Sequence, residues 1–122
     1  QEAWNDAYED VLSLRPDGPL NGVLQDVHWA SGLFGYFPSY AIGNLYAASF
    51  RFQMEEEIPT LWEQVEQGNF SEVLDWLRNR IHSRGHLVDA PEIFTDAVGE
   101  RDPVADLMRH LRSRSGELYG IG

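Results

Sequence analysis

Residues 36–52 read YFPSYAIGNLYAASFRF. Pro38 suits the first position of a helix, and the spacing predicts one from Pro38 to about Glu57. Its apolar residues are Tyr36, Phe37, Tyr40, Ala41, Ile42, Leu45, Tyr46, Ala47, Ala48, Phe50 and Phe52, which cover nearly the whole circumference. A helix apolar all round is normally buried on every side in a large protein. The short helices available in the rest of the chain can hardly surround it. Periodicity alone leaves two readings open: the central helix of a compact bundle, or a piece whose burial partners are missing.

Working outward, the punctuation is helical throughout. Glu2 to Leu14 carries Trp4, Ala7, Tyr8, Val11 and Leu12 at helical spacing, and RPDGPLNG stops it. Residues 22–29 read as a short helix. Pro59 to Gln67 makes another, closed by Gly68. Asn69-Phe-Ser-Glu72 is a capping-box pattern that launches Glu72 to Arg84, with Gly85 as the stop. Asp89-Ala-Pro-Glu92 repeats the logic for a helix ending at Gly99. Asp102 then caps a last helix, with Pro103 at its first position and Arg109, Arg112 and Arg114 falling late, where cations suit the helix dipole. No useful strand-like alternation and no internal repeat interrupt this, so the fold class is all-α.

The 122 residues suffice for one domain with a core but not for two. The absence of cysteine excludes disulfides and thiolate metal sites. The acidic opening QEAWNDAYED is unlike a signal peptide, and no apolar run is long enough for a bilayer, so a soluble cytoplasmic protein is expected. Twenty Asp and Glu face nine basic residues, all arginine, for a net charge of -11. That balance argues against nucleic acid, because neutralising phosphates takes clustered cations. Abundant carboxylates with no lysine also resemble surfaces adapted to high salt, where self-repulsion is screened, and point to a halophilic source.

Two histidines have metal-ligand spacing. His82-Ser-Arg-Gly-His86 places them four apart, as zinc ligands on one helix face can be. The residue after the first is Ser83 rather than Glu, however, and Gly85 stops the helix before His86. A late-helix histidine favoured by the dipole, plus a loop histidine, is the better reading, and no metal ligand is assigned. His110, among arginines, reads as solvated.

Gly22-Val-Leu-Gln-Asp-Val-His-Trp29, GVLQDVHW, is different. Gln25, Asp26, His28 and Trp29 crowd one helical turn. An aspartate there can fix the imidazole tautomer and aim its other nitrogen at a reacting group. Gly32 and Gly35 permit a tight return that brings Tyr36 and Tyr40 alongside. An imidazole and a phenol converging on a cleft can donate hydrogen bonds to a developing oxyanion. A buried polar cluster that pins a loop, with Trp29 as core, accounts for the same residues, and physics alone favours that second reading.

The segment also fits the pattern G-x-x-Q-D-x-H-W, and its continuation SGLFGYFPSYAIGNLYAA resembles that of Taq-type carboxypeptidases. AWNDAYEDVLSL upstream, FSEVLDWLRNRIHSRG downstream and the closing LRSRSGELYGIG resemble the C-terminal region of that family in order, so the likeness covers essentially the whole chain. The resemblance implies a zinc-dependent metallocarboxypeptidase with a cleft-bearing, all-helical fold, of which residues 1–122 would be the C-terminal helical portion. It implies peptide substrates, trimmed from the C-terminus with broad specificity, and neither nucleic acid nor membrane as partner. The family holds its zinc with H-E-x-x-H and a later glutamate, all upstream of this segment. That motif does not occur here, so the chain alone is expected to lack zinc and activity, and to self-associate or dimerise through the over-apolar helix. By the same resemblance, His28 and Tyr36 would be the donors to the tetrahedral intermediate, with Tyr40 as the alternative phenol and Gln25, Asp26 and Trp29 as support. The rivals are a stand-alone helical interaction domain and a small zinc protein built on His82 and His86.

Overall fold

A computed structural model describes residues 1–120, and every regular element among them is helical. None of these helices is long and apolar enough to cross a membrane. The chain divides into two compact units, Gln1–Tyr40 and Ala41–Gly122. Ile121 and Gly122, the end of the closing LRSRSGELYGIG, lie outside the described residues.

In the first unit, α1 spans Glu2–Leu12 and stops two residues before the expected Leu14. Ser13 turns left-handed (φ 56°) and its N–H closes on the Glu9 carbonyl. The reversal lets Arg15 return along the helix to Glu2, Asp6 and Glu9, at 2.6, 2.8 and 2.7 Å. After a 3₁₀ turn at Pro19–Asn21, the single helix expected over 22–29 is instead a second 3₁₀ turn, Val23–Gln25, followed by the one-turn α2 at Val27–Ala30. Asp26 causes the break. It is extended (φ −82°, ψ 105°) and its carboxylate accepts the His28 backbone N–H as an N-cap, the local competition that keeps aspartate out of helix interiors.

Helix α3 runs Pro38–Glu57, as its proline predicts. Its apolar circumference has two fates. Ala48, Ser49 and Phe52 are buried, whereas Tyr36 and Phe37 just before it, and Tyr40 and Ile42 within its first turns, are exposed.

The second unit continues α3 and adds α4 (Leu61–Glu66), α5 (Ser71–Leu77), a π-helical turn at Arg78–His82, α6 (Ala90–Val98) and α7 (Pro103–Tyr119). Trp76, Phe94, Ala97 and Val98 form its core, with Tyr46, Phe50 and Met54 of α3 packed against them. Phe94 stacks on Tyr46 with ring centroids 4.4 Å apart and meets Phe50 at 5.9 Å. A polar network joins α3 to α7. Buried Asp106 accepts Ser49 Oγ at 2.8 Å and Arg101 Nε at 3.0 Å, and Arg101 also reaches Glu56.

The caps divide. Asp102 receives the N–H groups of Val104 and Ala105 as expected. Asn69 accepts only the Ser71 N–H, at 3.1 Å, so no reciprocal box with Glu72 forms. Asp89 sits at the cap of α6 without a side-chain bond. Because α7 continues to Tyr119, Arg109, Arg112 and Arg114 lie inside it rather than in its last turn. Arg109 instead covers the Phe52 ring, 4.2 Å from its centroid, an arrangement that favours a cation electrostatically.

Candidate functional site

Asp26 organises the first unit. One carboxylate oxygen accepts the His28 backbone N–H at 2.9 Å and lies 2.6 Å from His28 Nδ1; the other accepts the Trp29 indole N–H at 2.7 Å. The bonds from the His28 backbone and imidazole hold the carboxyl below its ordinary value of 3.8 against the opposing desolvation, with the Trp29 bond adding to them. A carboxylate at Nδ1 makes that nitrogen the donor. His28 Nε2 is thereby turned outward, 3.2 Å from the Tyr40 hydroxyl.

The return predicted from the glycines is present. Gly32 and Gly35 take φ of 70° and 75°, a region that favours glycine, and the Leu33 N–H closes on the His28 carbonyl at 2.9 Å. The turn brings Tyr36 to stack on the imidazole (5.8 Å, 26°), while Tyr40 meets it edge-on (5.7 Å, 71°). Tyr40, weighed above as the alternative phenol, is the one that hydrogen-bonds Nε2. Tyr36 presents its ring to His28 and stands half exposed. Gln25 donates to the Leu20 carbonyl and so ties the 3₁₀ turns together.

Trp29 is not core in this unit. It is 46% exposed, holds Asp26 through its indole N–H and touches Phe34 edge-on. Its place in the same turn as Asp26 explains the difference, because an indole three residues after a carboxylate reaches it directly. Phe37 was missed by sequence reasoning although it packs edge-on against His28 at 5.5 Å. Trp4 and Tyr8, stacked at 4.6 Å, were read only as the apolar stripe of α1. They form the far wall of a cavity of about 520 Å³ whose near wall is Asp26, His28 and Phe37. A smaller one of about 210 Å³ lies on the Trp29–Phe34 side of the same imidazole.

The other three histidines belong to the second unit. His82 ends the π-helical turn and His86 lies in the turn beyond it. His110 is half-buried against the Arg51 guanidinium rather than solvated, because α7 packs it onto α3. Among the described residues no group of three or more His, Asp or Glu could hold a metal ion.

The sequence matches the family model described as carboxypeptidase Taq (M32) metallopeptidase over residues 1–115. It is 40% identical to carboxypeptidase 1 of Bacillus subtilis over 116 residues and 41% identical to thermostable carboxypeptidase 1 of Thermus thermophilus over 119, which cover 95% and 98% of this chain. The crystal structure of an M32 carboxypeptidase from Deinococcus radiodurans R1 matches 98% of the chain with a TM-score of 0.90 at 36% identity, over 24% of its own length. The chain spans about 23% of the length of the two curated relatives.

Proposed function

Because the chain belongs to the carboxypeptidase Taq (M32) metallopeptidase family, we propose that it is the C-terminal helical portion of a cytoplasmic metallocarboxypeptidase, and that GVLQDVHW is one wall of its substrate cleft. The whole protein would release C-terminal residues from peptides with broad specificity. The metal we propose is zinc. Among the described residues no group of three or more His, Asp or Glu could hold it.

This chain's part is electrostatic. As a scissile carbonyl becomes tetrahedral its oxygen gains negative charge, and donors already aimed at that position stabilise it without reorganising. His28 and Tyr36 are the donors. The imidazole donates from Nε2 when it carries a second proton, and the Asp26 carboxylate at Nδ1 keeps the ring oriented for it. Tyr40 holds Nε2 until a carbonyl replaces it. Gln25 and Trp29 keep the turn in place. The observation that carries the reading is the Asp26–His28–Tyr40 hydrogen-bond chain, 2.6 and 3.2 Å, closed by two left-handed glycines.

In the full-length enzyme, His28→Ala and Tyr36→Phe should each lower kcat by about 10²- to 10³-fold with little change in KM. Wild-type turnover in both variants would reject the assignment. The chain alone should show no peptidase activity. It should also self-associate through the exposed apolar residues of α3, and a monomer at all concentrations in light scattering would refute that.

A further inference from the structure

We infer that the cavity between α1 and the GVLQDVHW turn is a subsite for an aromatic or large apolar side chain of the substrate, with Trp4 and Tyr8 as its specificity-determining residues. The inference rests on the peptidase reading above. The cavity holds about 520 Å³, within the range of ligand sites and ample for one large side chain. Its far wall is the Trp4–Tyr8 stack, with planes only 19° apart, and Phe37 closes the near side.

The amide donors and the carboxylate at its edge are already engaged. Asn21 Nδ2 donates to Asp17 at 2.8 Å, Gln25 to the Leu20 carbonyl, and Asp26 accepts three N–H groups. An acidic occupant would face the Asp26 carboxylate, whereas an apolar one would lie against the rings. Asp26 and His28 line both this cavity and the proposed oxyanion position, so a side chain seated here belongs to a residue flanking the scissile carbonyl.

Gly22 fixes the wall. A Cβ there would meet Trp4 Cζ3, Pro16 Cβ and the Gly18 carbonyl oxygen, each at 3.2 Å. Only a residue without a side chain lets the turn seat this closely against the indole, which gives the first glycine of the motif a part in shaping the subsite.

The test uses the full-length enzyme and N-blocked dipeptides with Phe, Ala or Asp at either position flanking the scissile bond. The wild type should favour Phe over Ala by at least about tenfold in kcat/KM at one position and disfavour Asp there. Trp4→Ala and Tyr8→Ala should each bring the Phe/Ala ratio towards one by lowering kcat/KM mainly for the Phe peptide, and Trp4→Phe should keep most of the preference. An unchanged ratio in both alanine variants, or an equal fall for Phe and Ala peptides, would overturn the subsite. If the wild type hydrolyses none of these peptides, the peptidase reading fails instead. Calorimetry with N-acetyl-phenylalanine amide and N-acetyl-alanine amide then decides the cavity. A Phe preference abolished by Trp4→Ala supports an aromatic site, and equal binding of the two amides refutes it.

Discussion

Asp26→Asn tests the centre of the site with the smallest change of shape. Asparagine caps helices as well as aspartate does, so α2 should keep its first turn. The count of acceptors changes instead. Three N–H groups now converge on two oxygens, and the variant has one oxygen and one NH₂ for them. The orientation that keeps the two bonds to His28 points the amide nitrogen at the Trp29 indole N–H, donor against donor; the flipped orientation frees His28 and drives it to its other tautomer. In the first orientation the His28 bonds are to a neutral group, roughly half as strong as charge-assisted ones; in the second the wild-type bonds to His28 are lost. We expect turnover of the full-length enzyme to fall by about 10- to 100-fold, less than for removing His28 outright. In the chain alone, ¹H–¹⁵N correlations of the imidazole should show Nδ1 protonated in the wild type, and the Trp29 indole resonance should shift in the variant. A variant with wild-type turnover and an unmoved indole resonance would refute the idea that Asp26 organises this site.

Acid should dismantle the same cluster. Folding lowers the Asp26 pKa below 3.8, so its contribution to stability is fully present above that value and is lost as pH falls through the depressed native one; a Trp29 indole resonance unchanged through that descent would contradict it. Phe94→Ala should cost about 3–5 kcal/mol in urea unfolding, since it empties the space between Tyr46 and Phe50, and a loss under about 1 kcal/mol would mean that the core collapses to fill it. Arg101→Met should cost about 3 kcal/mol by leaving Asp106 with Ser49 alone. Adding Asp106→Leu should restore much of that, and failure to do so would argue that packing rather than the stranded charge matters. With twenty carboxylates and no lysine, the chain should melt at a higher temperature in molar salt than in dilute buffer; a melting temperature that does not rise would sink the halophilic reading.

How much of this was legible in the sequence depends on how local each signal is. Pro38, Pro103, Asp102 and the stop at Gly99 mark helix ends correctly, because a fixed φ, a capping oxygen or a left-handed glycine acts within one turn; the helix expected to run to Arg84 instead ends as α-helix at Leu77 and passes into the π-helical turn that closes at His82, before Gly85. Asp26 defeated the same logic. Its apolar neighbours Val23 and Val27 have helical spacing, yet the side chain's own hydrogen bond to the next turn outweighs continuing the helix. The site was visible as a composition of residue types, but not the choice between Tyr36 and Tyr40, which depends on the angle at which the glycine-closed return delivers the chain. Trp4, Tyr8 and Phe37 were invisible as cavity walls. An aromatic residue at helical spacing reads as core wherever it occurs, and only the folded chain shows that Gly22 seats the turn against Trp4. His110 likewise turned from solvent to Arg51 through a pairing of α3 with α7 that spans 59 positions.

The Asp26 cluster takes all three of its hydrogen bonds from residues two or three positions away. Closing so short a loop costs little chain entropy, and local contacts form early in folding. His28 can therefore be oriented on the timescale of a single turn, before the long-range pairings of Phe94 or Asp106 exist. A refolding chain would carry the aimed imidazole before those pairings return.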